Sequence, residues 1–173
     1  METPVPRLAL WSVAAAMLFG APLSAQTSAP GVGSDGAILA GKWTYRSFHN
    51  RPALVDDNAQ AALDLIFAEA VFTFQVSGTT LKGTIDWPGG GLDLQGQIQP
   101  ASGQASLSVA IVGAGRPNSE TNGWEYDYRA NLAYQWPNGV NQIPALVGTV
   151  IRAKPHGNAP AGYVASFIAV KQP

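Results

Sequence analysis

Cysteine is missing altogether, so no disulfide braces the fold and no lipid can be joined to an N-terminal cysteine. Charge is scarce: Asp, Glu, Lys and Arg make up 12% of the residues, where a soluble domain commonly carries about a quarter. The net charge is −1, and no basic patch with interleaved aromatics occurs, which argues against nucleic acid as a partner. There are only two histidines, His49 and His156. They form no i, i+4 pair, and although Asp56 and Asp57 are near in sequence to the first, no tight cluster supports a metal site. No Gly-x-Ser-x-Gly elbow exists. Gly113-Ala114-Gly115 lacks the third glycine and the following helix of a dinucleotide loop. No cofactor is implied. Only one long apolar run is present, Leu8 to Phe19, and it is too short to span a bilayer core of about 30 Å comfortably.

That run follows Arg7 and precedes Leu23-Ser24-Ala25, the small residues a signal peptidase needs. Residues 1–25 therefore read as a signal peptide, which predicts a secreted or periplasmic protein with no transmembrane segment after cleavage. Residues 26–37 are small and polar and read as a flexible leader. Residues 38–173 form one domain, long enough to bury a real core.

What the domain has is glycine, proline and alternating aromatics. The run Trp124 to Trp136 places Trp124, Tyr126, Tyr128, Leu132, Tyr134 and Trp136 on one parity, with Glu125, Asp127, Arg129 and Asn131 on the other. That is a strand with an aromatic face and a polar face, unusually long against a typical 5–6 residues. Further strands are predicted over Gly41 to Phe48, Val71 to Val76, Thr80 to Trp87, Leu92 to Ile98, Ala105 to Val112, Ala145 to Arg152 and Tyr163 to Val170. One helix is predicted between the first two, Ala59 to Ala70, with Leu63, Ile66, Phe67 and Ala70 in one stripe. The pattern is all-β: an eight-stranded up-and-down antiparallel barrel with one short helix between strands 1 and 2.

Leu81-x-Gly83-x-Ile85, Leu94-x-Gly96-x-Ile98 and Leu146-x-Gly148-x-Val150 repeat one pattern. Glycine inside a strand marks a bend or a close backbone approach, as a coiled barrel wall requires, and the flanking aliphatics mark the interior face. Strand phase then brings His49, Trp87, Trp124 and Arg152 to the inner side of one mouth, with Tyr45, Tyr126 and Tyr128 deeper. Long loops gather at the same end, and the helix is expected to lie across it. Trp43 opens the first strand at the opposite end and reads as a plug. Aromatic walls with a few polar groups suit a small apolar or aromatic ligand. The ligand-binding candidates are therefore Tyr45, His49, Trp87, Trp124, Tyr126, Tyr128 and Arg152. A ligand-holding interior is favoured over a filled one, since deep tyrosine hydroxyls need polar partners.

Gly41-Lys42-Trp43-Thr44, opening an eight-stranded meander, resembles the Gly-x-Trp start of lipocalins and avidin-type barrels, the calycin group. The resemblance implies a secreted barrel that binds a small molecule in its mouth, and the favoured reading of the chain is a non-enzymatic binding barrel. Avidin-like proteins carry biotin-contacting Asn and Ser two and six residues after that Trp; here Tyr45 and His49 stand there, so biotin is not implied. The expected helix looks like the lid of fatty-acid-binding barrels. Two other readings stay open. One is a barrel isomerase or cyclase using Asp86, Glu69 or His49. The other is a filled barrel that binds a protein through exposed aromatics.

Overall fold

The computed structural model describes residues 36–52 and 54–173. The signal-peptide reading of residues 1–25 lies outside them, as does most of the expected leader. Eight strands follow in order: β1 (Gly41–His49), β2 (Ile66–Ser77), β3 (Thr80–Trp87), β4 (Gly90–Gln99), β5 (Ser108–Gly115), β6 (Glu125–Leu132), β7 (Ala145–Arg152) and β8 (Val164–Lys171). Each pairs antiparallel with the next, and β1 also pairs with β8, so the sheet closes on itself. The expected up-and-down eight-stranded barrel is the fold.

The repeated glycines lie where the wall leaves no room for a side chain. A Cβ on Gly83 would fall 2.0 Å from the Thr73 carbonyl oxygen, and one on Gly148 would fall 2.0 Å from that of Arg129. The aliphatics that flank these glycines, Leu81, Ile85, Leu146 and Val150, are all buried in the interior. Strand alternation therefore sorts the residues as the sequence suggests. On the outer wall of β4, Asp93, Gln95, Gln97 and Gln99 are exposed. Among the described residues no helix is long and apolar enough to cross a membrane.

Four expectations need correction. The helix α1 spans only Ala59–Leu63, capped by the Asn58 side chain on the Ala61 amide, and none of its residues is buried. It does not form a lid packed on the mouth. Ile66 to Ala70 belong instead to β2, a 12-residue strand. A short Ala-rich helix with no anchoring stripe is marginal in water, whereas those residues gain a ladder with β1 as far as Phe48. Second, β6 stops at Leu132, because neither neighbouring ladder runs further: Leu132 faces Leu146 near the start of β7, and β5 begins at Ser108. Tyr134 and Trp136 consequently sit in the following loop, 72% and 70% exposed. Third, β5 begins at Ser108 rather than Ala105 and runs on through Gly113 to Gly115. Fourth, the body takes in Gly36 and Ala37, assigned above to the leader, as a 3-10 turn over Gly36–Leu39.

That turn closes one end. Leu39 and Trp43 are both fully buried, and the Trp43 indole Nε1 donates to the Leu39 carbonyl oxygen at 2.8 Å. Lys171 Nζ donates to the Ile38 carbonyl oxygen at 2.7 Å and lies 5.9 Å from the Trp43 ring. Trp43 is thus the plug its position predicts. Above it the barrel is filled at mid-height by rings rather than hollow. Phe72 meets Tyr45 and Phe74 at 4.9 Å each, Tyr128 at 5.5 Å and Phe167 at 6.2 Å between ring centres. The preference for a ligand-holding interior fails at this level, because these bulky rings take the space themselves.

Candidate functional site

The loops at the other end are residues 50–65, 88–89, 116–124 and 153–163. Three of the four are long, as the strand count predicts. The loop after β5 is tied down by Thr121, whose Oγ1 donates to the Gly91 carbonyl oxygen at 2.8 Å. Arg116 anchors the same loop to the outer wall through Asp86 at 2.8 Å and Asp93 at 2.9 Å. Trp124, the last residue of that loop, is thereby held over the barrel edge, its amide bonded to the Thr121 carbonyl oxygen.

From Trp124 an aromatic column runs around the mouth. Its indole stacks on the His156 imidazole at 3.7 Å and 13°, and the Trp87 ring lies 6.4 Å away at 20°. His156 Nε2 meets the Tyr126 hydroxyl at 2.8 Å. Arg152 Nε donates toward both, at 3.3 Å to the Tyr126 hydroxyl and 3.2 Å to His156 Nε2. The guanidinium lies 6.0 Å from the Tyr126 ring centre and 5.7 Å from that of Tyr163. Tyr163 in turn bonds His49 through its hydroxyl and the imidazole Nδ1, and Phe67 packs on both rings at 5.4 and 5.5 Å.

Five of the seven expected ligand residues therefore share one rim: Trp87, Trp124, Tyr126 and Arg152 on one arc, and His49 joined to it through Tyr163. Tyr45 and Tyr128 lie in the layer below, each 3% exposed, with ring centres 6.3 Å apart. Burial pushes both of their hydroxyl pKa values above the ordinary 10; the Ser47 side chain opposes this at Tyr45, and the proximity of Tyr45 and Tyr126 adds to it at Tyr128. They are core rings first. His156 is shifted the other way, below its ordinary 6.5, by partial burial and then by the Arg152 charge.

Three rim residues escaped sequence reasoning. Phe67 was assigned to the helix. It is the extra residue of a bulge, since Ser47 pairs with Ala68 and Phe48 with Ile66; a bulge re-aims a side chain, and its ring reaches His49 and Tyr163. Tyr163 was counted only as the start of a strand. His156 carries no signal beyond its place in the loop after β7, and a bridge to Ala159 folds that loop back so that the ring lies on Trp124. Nothing in linear spacing marks that return.

The enzyme reading loses its convergence. Glu69 lies on the outer wall in an ion pair with Arg46, and Asp86, bonded to the Thr84 hydroxyl, lies there with Arg116. His49 is on the inner side with Tyr163. Among the described residues no three His, Asp or Glu side chains are grouped to hold a metal. Two open grooves of about 570 and 620 Å³ share Gln99, Ser108 and Asn131, away from the mouth. No aromatic side chain lines either one, and Arg129 is their one charged residue. Comparison with protein-family models, curated proteins and solved structures finds no match to this chain.

Proposed function

We propose that this protein is an exported, non-enzymatic binding barrel of lipocalin-like or avidin-like design that takes a small apolar or aromatic molecule at its mouth. The observation that carries the reading is the half-exposed column Trp87–Trp124–His156, continued by Tyr126, Arg152, Tyr163, His49 and Phe67. Rings that only fill a core are sealed, as Trp43 is at the opposite end. Rings that stop at a rim with polar atoms between them offer stacking faces and orienting groups to a flat ligand. The filled midsection confines such a ligand to the rim, so it is small.

The test is a titration of the protein with neutral aromatic probes such as indole and phenylacetamide, followed by tryptophan fluorescence and by the indole N–H resonances of Trp87 and Trp124. Saturable shifts at those two, absent at Trp43 and abolished by Trp124→Leu, support the reading. Flat titrations with these and with charged aromatic probes alike reject it.

The outer wall of β7 and β8 favours a second reading, a protein-interaction module. Val147 and Ile168 are cross-strand partners there, both exposed, and Val170 continues the stripe beside Ala145. Exposed apolar patches beyond a few hundred Å² mark interaction sites. Light scattering on the wild-type protein and on Ile168→Lys decides: a monomer in both cases, unchanged in solubility, counts against this surface.

A further inference from the structure

Arg152 is 8% exposed, and among the described residues no carboxylate pairs with it. The ion pairs among the described residues are Arg46–Glu69, Arg116–Asp86, Arg116–Asp93 and Lys154–Glu125. Of the two acidic residues beside Tyr126, Glu125 is committed to Lys154, and Asp127 lies on the outward parity of β6 and makes no ion pair among the described residues. The guanidinium is held only by neutral groups: the Tyr126 hydroxyl, His156 Nε2 and, through Nη1 at 3.0 Å, the Pro160 carbonyl oxygen. Two tyrosine rings flank it. A charge taken this far out of water normally has a counter-charge, because desolvation of an uncompensated ion is costly.

Its remaining donors point to what would supply that charge. Nη2 has no hydrogen bond among the described residues, yet it is not sealed off from solvent: the sole fully buried, unpartnered side-chain polar atom is Gln135 Oε1. So Nη2 presents free N–H groups at the floor of an aromatic rim. Arginine's planar fork matches a carboxylate, and such charge-assisted bonds are the strong ones. The surrounding low-polarity rings make the field of the cation felt more strongly than in water.

We infer that the mouth ligand is an aromatic carboxylate, its ring packed against the half-exposed Trp87 and Trp124 and its carboxylate on Arg152 Nη2. The inference rests on the mouth-binding reading above and adds to it the sign of the ligand's charge. It also gives Arg152 a reason to be buried without an acidic partner, since the ligand brings one.

The test uses three probes with one ring and different charge: phenylacetate, phenylacetamide and phenethylamine, with acetate as the ring-free anion. Binding to the full chain is read by calorimetry and by the Arg152 Nε–H resonance. Phenylacetate is expected to bind at least tenfold more tightly than phenylacetamide, phenethylamine not to bind, and acetate to bind weakly. Arg152→Gln should bring phenylacetate to the level of phenylacetamide and leave phenylacetamide unchanged, and Arg152→Lys should keep part of the preference. Since the Pro160 contact makes Arg152 structural as well, the wild-type ratio alone also decides. Equal affinity for acid and amide overturns the inference and leaves the mouth reading standing. A preference for acid that survives Arg152→Gln overturns it too. Failure of every probe to bind removes both.

Discussion

Emptying the middle of the barrel should turn it from a filled cylinder into a hollow one, at a calculable cost. Phe72 is 1% exposed and touches four other rings, those of Tyr45, Phe74, Tyr128 and Phe167. Removing its ring by Phe72→Ala loses the transfer free energy of a large apolar side chain, roughly 2–3 kcal/mol. The surrounding wall is a closed hydrogen-bonded cylinder, so it cannot collapse inward freely. A residual void on the order of 100 Å³ then adds about 2 kcal/mol at ~24 cal/mol per Å³. The expected loss is therefore about 4–5 kcal/mol, at the upper end for Phe→Ala. Urea unfolding followed by circular dichroism reads it as a fall in midpoint with the slope unchanged. Xenon under pressure, which has no ring to stack at the rim, should then raise the melting temperature of Phe72→Ala but not of the wild type, since an apolar cavity stays dry and takes such a ligand. A loss under about 1.5 kcal/mol, or stabilisation of the wild type by xenon, would show that the interior already holds space, and the argument confining ligands to the rim would collapse.

Other outcomes follow from the same packing. Gly148→Ala places a methyl against the Arg129 carbonyl oxygen and should cost about 1–3 kcal/mol as overpacking against rigid backbone; a neutral result by chemical denaturation would contradict the coiled-wall account. Tyr45 and Tyr128 have hydroxyl pKa values raised above 10 by burial, so stability is whole below pH 10 and falls as the pH rises past it, because the unfolded chain ionises first. Their phenolate absorbance should appear together with cooperative unfolding, and Tyr128→Phe should shrink that step. His156, held below 6.5, contributes stability that is whole above pH 6.5 and is lost as the pH falls through its depressed folded value. His156→Gln should flatten that acid limb in thermal melts; an unchanged limb would mean that the ring is not shielded by Trp124.

The sequence made the wall legible because alternation is local. Each strand's inward residues, such as Leu81 and Ile85 or Leu146 and Val150, can be named without knowing the neighbouring strand. The in-phase glycines carried curvature for the same reason: a missing side chain inside a regular pattern needs a geometric cause. The helix misled because Leu63, Ile66, Phe67 and Ala70 fit a 3.6 period, while Ala68, Ala70, Phe72 and Phe74 fit a period of two. The tie is broken by β1, a partner some twenty residues away, through pairs such as Tyr45 with Ala70. The rim was half legible for a related reason. Strand phase delivers Trp87, Tyr126 and Arg152 to one side of one end, and Tyr163 continues the inward parity of Ala165 and Phe167, but the His156 ring reaches Trp124 through the fold of a loop, and Phe67 arrives through a bulge. Such elements carry no period to read.

A filled core and the proposed binding mouth do not compete; the first is a condition of the second. Stacking at 3.7 Å between Trp124 and His156 is useful to a ligand only if the rings already hold that spacing before it arrives, since ordering them on binding would consume affinity. The rings of the rim stand on Tyr45, Tyr128, Phe72 and Phe167, which pack against one another and leave little room to tilt. Arg152 is fixed from above by the Pro160 carbonyl and from the side by Tyr126 and His156, so its free Nη2 points from a rigid base. A deep hollow barrel selects its ligand by length and volume. This one has its floor built of tyrosine and phenylalanine, so under the proposed reading only the rim is left to select with, and there the discriminating features would be the plane of a ring and the sign of a charge.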